Sequence, residues 1–198
     1  VSDLILASAS AVRARLLKDA GVHFDVRPAY VDEETIKESL LAAHAPLRDI
    51  ADTLAELKAL RVSASRPETL VLGADQILDF EGELISKCES LDDARVLLKR
   101  LRGKKHTLVS ALVLARGGAP VWRNVDSAQL WMRDFSDSFL DDYLLTEGEE
   151  LLSGVGCYRL EELGIQLFER IEGDYFTVLG LPLLPLLTAL RQYEIIGP

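Results

Sequence analysis

Three short stretches carry side chains able to handle phosphate. The first is Ala7-Ser8-Ala9-Ser10 followed by Arg13, where an apolar strand gives way to a helix. A helix N-terminus offers unpaired backbone N–H groups and the positive end of its dipole, which together attract anions. Ser8 and Ser10 add hydroxyl donors, and Arg13, one turn in, adds a bidentate charged fork. The same residues also fit a plain helix start, with Ser10 as its cap and Arg13 in solvent. The second stretch is Gly73-Ala74-Asp75-Gln76. A carboxylate inside an apolar strand is expensive to bury unless it is paired, bound to an ion or facing water. With Asp32, Glu33 and Glu34 elsewhere, Asp75 supplies the donor type that Mg2+ takes, a few carboxylates completed by substrate oxygens. An Asp that merely stabilises a turn at a strand end is the alternative. The third is Lys87, just after an apolar strand, a partner for phosphate or for Asp75. Lys58 is comparable, on a helix otherwise apolar on one face; for both, a solvated surface lysine is the competing reading.

Other chemistries find little support. His23, His44 and His106 lack metal-ligand spacing, and neither a Walker A nor a G-x-G-x-x-G pattern is present. Cys88 and Cys157, the only cysteines, form neither a disulfide framework nor a zinc pattern, and Cys157 fits a small buried residue. Such usage suits a reducing cytoplasm. A formal charge of −10 opposes binding to an extended nucleic-acid polymer but admits a small phosphorylated ligand where positive charge converges. No apolar run is long enough for a bilayer, since the longest, Leu108–Ala115, is strand-sized. The start of the sequence lacks a secretory pattern. The expectation is a cytoplasmic protein without membrane contact.

These side chains need elements to hold them. Leu4–Ala7 predicts a buried strand, and Val12, Leu16 and Ala20 recur at helical spacing after Ser10, up to Gly21. Residues 24–31 look extended, and the polar stretch 32–38 leads to an amphipathic helix over 47–62 with Ile50, Leu54, Leu57 and Leu60 facing inward. Leu70–Leu78 is a strand that the turn at 79–83 sends back through Leu84-Ile85. Ser90 and Asp93 form a capping box for a helix ending at Gly103, with Leu91, Ala94, Leu98 and Leu101 as its core stripe. Strands over 106–116 and 121–133 flank Gly117-Gly118 and predict a hairpin. A helix over 136–146, a glycine-containing loop (153–158), a strand near 165–171 and a last helix opened by Pro182 complete the chain. Alternating strands and helices around a hairpin give an α/β fold with a mixed sheet, and 198 residues fit one domain, 1–198.

In order and spacing these pieces resemble the Maf family of nucleoside triphosphate pyrophosphatases over nearly the whole chain. The family's opening L-A-S-x-S-P-R-R stands here as Leu6-Ala7-Ser8-Ala9-Ser10-Ala11-Val12-Arg13, its D-E as Asp32-Glu33, and its L-A-x-x-K-A as Leu54–Ala59. Its G-A/S-D-T/Q is Gly73–Gln76, its G-K-P falls on Ser86-Lys87-Cys88, and its A-G-x-Y/F on Val155–Tyr158. The run LFERIEGDYFTVLGLPL, 167–183, matches most closely. Ala11, Val12, Ser86 and Cys88 depart from the pattern, while the residues for phosphate and metal remain. The resemblance implies a mixed central sheet flanked by helices, in the Maf/ITPase-like two-lobed architecture with a cleft between lobes. It implies hydrolysis between the α- and β-phosphates, with Asp75 as general base and Glu33 and Asp75 as ligands of Mg2+ or Mn2+. Lys58, Lys87 and Arg13 would neutralise phosphate charge, with Ser8 and Ser10 in the cradle. It also implies a homodimer.

Within the family, Val12, Gln76 and Glu161 fall on the positions that sort substrates. The thymidine/uridine branch carries Arg, Thr and Gln there, and the 7-methyl-GTP branch Trp, Gln and Glu. Gln76 and Glu161 agree with the second. A carboxylate at 161 suits the adjacent N1–H and amino donors of guanine, whereas uracil or thymine, with one donor between acceptors, suits an amide. Val12 departs, because a Trp face favours a cationic methylated ring and valine does not. The expectation is a guanine-type base such as 7-methyl-GTP. The alternatives are a dTTP/UTP pyrophosphatase and a non-catalytic nucleotide-binding regulator of septum formation.

Overall fold

A computed structural model of the chain describes residues 3–197. Its described residues form seven strands and seven α-helices, and the chain divides into two compact units. The first holds the residues up to Gln76, Val109–Asp126, and those from Tyr175 onward; the second holds Ile77–Leu108 and Ser127–Asp174. Strands β3 (Leu70–Phe80), β5 (Lys105–Arg116) and β6 (Ala119–Met132) contribute to both, and the sheet is mixed, as the central hairpin implied.

In the first unit the strand order is β2-β1-β3-β5-β6. β1 (Leu4–Leu6) runs parallel to both β2 (Asp25–Val26) and β3, with Leu4 opposite Leu70 and Leu6 opposite Leu72. Such a parallel strand is buried on both sides, hence its unbroken apolar run. Leu4, Leu6, Leu17, Leu72, Leu112 and Leu186 belong to one apolar cluster, against which Val12 packs half-buried. α1 (Ala11–Asp19) starts at Ser10, whose Oγ accepts from Arg13 N at 3.3 Å. Ala20 ends α1 as an exposed C-cap rather than extending its apolar stripe.

Two expectations for the next stretch need correction. The extended segment expected over 24–31 shortens to β2, and residues 33–42 form a separate helix, α2 (Glu33–Ala42). Asp32 caps it, accepting from Thr35 N at 3.2 Å and from Thr35 Oγ1 at 2.8 Å, while Glu33 and Glu34 face the positive end of its dipole. No residue of α2 is fully buried, so no clean apolar stripe marks it in the sequence. α3 (Leu47–Ser63) forms as expected, with Ile50 and Leu54 buried. Its buried stripe continues through Ala55, Lys58, Ala59 and Val62, however, while Leu57 and Leu60 are half-buried in a shallow groove with Tyr30, Val31 and Ile36.

In the second unit the order is β4-β3-β5-β6-β7. β4 (Glu83–Ile85) pairs antiparallel with β3, and both turn residues, Glu81 and Gly82, have positive φ (57° and 86°), as a type I′ hairpin requires. Gly117 and Gly118 do the same for β5 and β6, at 61° and 76°. α4 (Leu91–Leu101) is capped by Ser90, whose Oγ accepts from Asp93 N at 3.1 Å. α5 (Asp137–Glu147) is capped by Ser136. The strand expected near 165–171 starts later, as β7 (Phe168–Glu172), because Leu163–Leu167 is a 3-10 turn. Gly148–Ser153 is likewise 3-10, and Cys157 is buried with a free thiol. α6 (Tyr175–Val178) and α7 (Leu183–Gln192), the latter with Pro182 at its N-cap, return to the first unit. No helix among the described residues is long and apolar enough to cross a membrane.

His106, on β5, is 1% exposed. Its Nε2 lies 2.8 Å from the Tyr158 hydroxyl, and Nδ1 meets no hydrogen-bond partner among the described residues. Burial pushes its pKa down from 6.5 to about 4. The unfolded chain therefore binds the extra proton first, so this group's contribution is full above pH 6.5 and is lost as pH falls towards 4. The gap corresponds to about 3 kcal/mol. His106→Gln is expected to flatten the loss of stability over that window, as read by denaturant melts at pH 7 and pH 4. An unchanged slope would contradict it.

Candidate active site

The site begins with a glycine. A Cβ on Gly73 would collide with the Ala55 carbonyl oxygen and lie 2.7 Å from Ala59 N. The missing side chain lets β3 run directly against α3, whose facing residues, Ala55 and Ala59, are themselves small. Lys58, on the same buried stripe, then meets Asp75 two residues beyond the glycine. The ammonium lies 2.7 Å from Asp75 Oδ1 and 2.8 Å from Glu33 Oε1. Asp75 is 5% exposed and Lys58 8%, while Glu33, in the first turn of α2, is half-buried. Lys58 is thus no solvated lysine, and Asp75 no turn residue. Burial raises the Asp75 pKa above the ordinary carboxylate value, with Glu33 adding to the rise; the Lys58 ammonium and Arg13 offset only part of it.

The corner after β1 is equally well tied. Arg13 Nη1 donates to Ser8 Oγ at 3.1 Å and to the Ala74 carbonyl at 3.0 Å, and Nε donates to the Gly180 carbonyl at 2.9 Å. Ser8 Oγ also accepts from Ser10 N at 3.3 Å. Arg13 is therefore fixed rather than solvated. Burial lowers the pKa of its guanidinium, with Asp75 and Glu33 opposing that shift. Gly180 is required by its φ of 83° rather than by space: a Cβ there would make ordinary contacts, 3.4 Å from Arg13 Nη2 and 3.5 Å from Gln76 Cδ. The Gln76 amide nitrogen donates towards Ser110 Oγ (3.0 Å) and the carbonyls of Thr177 (3.1 Å) and Val178 (3.0 Å). Main-chain carbonyls only accept, so these partners fix which end of the amide is nitrogen.

Ser8, Ser10, Arg13, Glu33, Lys58, Asp75 and Gln76 all lie in the first unit, and the bonds above join most of them; Val12 is there too, on the apolar core. Lys87, exposed between β4 and α4, and Glu161, half-buried ahead of the 3-10 turn at Leu163, belong to the second unit. The sequence reading missed Ser110, Thr177 and Gly180. The only available signal was the close match over 167–183, which contains two of them.

A sequence profile of the family described as "Maf-like protein" matches residues 3–193. The chain belongs to the Maf family. Among its Maf relatives, proteins named nucleoside triphosphate pyrophosphatase, the one from Caulobacter vibrioides is 55% identical over 98% of this chain and 96% of its own. That from Granulibacter bethesdensis is 50% identical over 96% of this chain and 97% of its own, and that from Roseobacter denitrificans 52% over 94% of each. For this Maf chain the β3–α3 contact makes Gly73 a sharp test of the geometry. Gly73→Ala is expected to destabilise the fold by about 3 kcal/mol, because main chain must move, and to lower activity in parallel. Urea denaturation checks the first and turnover the second; a stable, active variant would contradict the close approach.

Proposed function

We propose that this Maf chain hydrolyses the bond between the α- and β-phosphates of a nucleoside triphosphate, releasing the monophosphate and pyrophosphate. The observation that carries the reading is the buried Asp75 paired to the Lys58 ammonium, which Glu33 shares, with the Arg13 charge also acting on Asp75. A carboxylate whose pKa is raised is a stronger base once ionised, which suits Asp75 to align and deprotonate the attacking water. Arg13 and Lys58 supply positive charge for the phosphates, the role that the family motif also gives Lys87, and the N-terminus of α1 beside Ser8 and Ser10 adds backbone donors. The names of the relatives, 46–55% identical to this chain, support the same reaction.

Among the described residues no group of three or more acidic, histidine or cysteine side chains gathers around one point. Glu33 and Asp75 share the Lys58 ammonium, and these two carboxylates would hold a hard divalent ion such as Mg2+ or Mn2+, which takes one or two carboxylates plus substrate oxygens, only in place of that ammonium. When bound it supplies further neutralisation of phosphate charge.

The base reading extends the proposal to a guanine-type nucleotide such as 7-methyl-GTP. Gln76, with its nitrogen taken by protein acceptors, offers its carbonyl oxygen to a base donor, and Glu161 would accept the paired donors of guanine. Pyrophosphate release from 7-methyl-GTP, GTP, UTP and dTTP, with Mg2+ or Mn2+, tests it. The expected order puts 7-methyl-GTP first, and Glu161→Gln shifts activity towards UTP and dTTP. Wild-type preference for UTP or dTTP would overturn the base assignment; no pyrophosphate from any of the four would overturn the reaction.

A further inference from the structure

What fixes Gln76 lies far from it in sequence. Two of its three acceptors, the carbonyls of Thr177 and Val178, come from α6, a helix of four residues. One turn of helix does not hold itself in place, since nucleation costs more than its few bonds return. The Thr177 side chain provides the tie. It is fully buried, and its Oγ1 donates to Asp126 Oδ2, on β6, at 2.8 Å. The Thr177 carbonyl in turn collects Gln76 Nε2, Ser110 Oγ at 2.8 Å and Gly180 N at 3.0 Å. Gly180 is the residue whose own carbonyl takes Arg13 Nε. One anchored threonine therefore sets both the amide of Gln76 and the loop that pins Arg13.

We propose that Thr177, tied to Asp126, is a positioning residue that locks Gln76 with its nitrogen inward and its carbonyl oxygen outward, making Gln76 an acceptor-only reader of the nucleobase. This rests on the reading above, in which Gln76 meets the base. A site locked as an acceptor favours a base that donates there, such as guanine through the second hydrogen of its C2 amino group, and disfavours adenine, which has no donor at C2. With the tie cut, the α6 carbonyls no longer dictate the amide, which can turn to present nitrogen instead.

The test compares kcat and KM for GTP and ATP in wild type, Thr177→Val and Thr177→Ser. Thr177→Val removes the hydroxyl at nearly constant shape. It is expected to raise KM for GTP about tenfold with kcat within about twofold, and to shrink the preference for GTP over ATP by about tenfold. Thr177→Ser, which keeps the hydroxyl, is expected to restore both. Asp126→Ala, at a half-buried strand position, should shrink the preference in the same way and serves if Thr177→Val does not fold. A purely structural role would lower thermal stability and leave the GTP/ATP ratio at the wild-type value in both variants, which would overturn the proposal. Gln76→Ala separates the two layers. If it abolishes the preference while Thr177→Val and Asp126→Ala do not, the positioning role alone fails; if it too leaves the preference unchanged, Gln76 does not read the base and the underlying reading fails with it.

Discussion

Asp75→Asn is expected to lower kcat by about 10³-fold while the protein still folds. The amide keeps the shape of the carboxylate but takes up no proton from water at any working pH. Folding survives because the substitution removes a charge whose burial was costly, as the upward shift of its pKa shows. Lys58 also retains Glu33 at 2.8 Å, so no cation is stranded. The pH profile adds a second reading. Asp75 is active only when ionised, so wild-type turnover is expected to fall on the acid side as Asp75 takes up its proton. Residual activity of Asp75→Asn should lack that acid limb. Near-wild-type turnover, or an unchanged limb in the variant, would remove Asp75 from the role of base.

Lys58→Met is expected to cost about 3–5 kcal/mol at neutral pH, because it leaves the Asp75 charge buried without its closest partner. The flexible apolar side chain fills most of the lysine's volume, so the loss is electrostatic rather than a cavity. Lys58 contributes both a charge and a hydrogen bond that hold the Asp75 pKa down; without them that pKa rises further. Stability of the variant should accordingly recover as pH falls and Asp75 takes up a proton, the opposite sign to the His106 contribution. Adding Asp75→Asn should restore much of the loss, since the two residues act as a unit. Urea denaturation of both single variants and the double variant at two pH values measures this. A Lys58→Met protein as stable as wild type would mean that the pair is not dry.

Local signals in the sequence carried most of the framework. Ser10 and Ser90 cap helices as their positions imply, and Gly117-Gly118 supplies the two positive φ angles a tight hairpin needs. Each of these depends on residues within a few positions of one another. α2 escaped notice because it buries nothing completely, so its evidence was a cap rather than a stripe. Lys58 shows the limit most clearly. By pattern it is a lysine on an amphipathic helix, and only the family motif marked it as more. Its burial follows from Gly73 opposite Ala55 and Ala59, a contact between a strand and a helix that no local rule encodes. The same holds for Arg13 and Gln76, whose partners at Thr177, Val178 and Gly180 lie a hundred or more residues away. The residues proposed for phosphate chemistry stand out in the sequence; their partners do not, because those are set by tertiary packing.

The identity of the products tests the central claim most directly. Wild-type protein, GTP and Mg2+ are followed by 31P NMR, which separates cleavage at the α–β bond from cleavage at the β–γ bond. The expected result is guanosine monophosphate and pyrophosphate in equal amounts, with no diphosphate at any time. Accumulation of guanosine diphosphate and inorganic phosphate would contradict it.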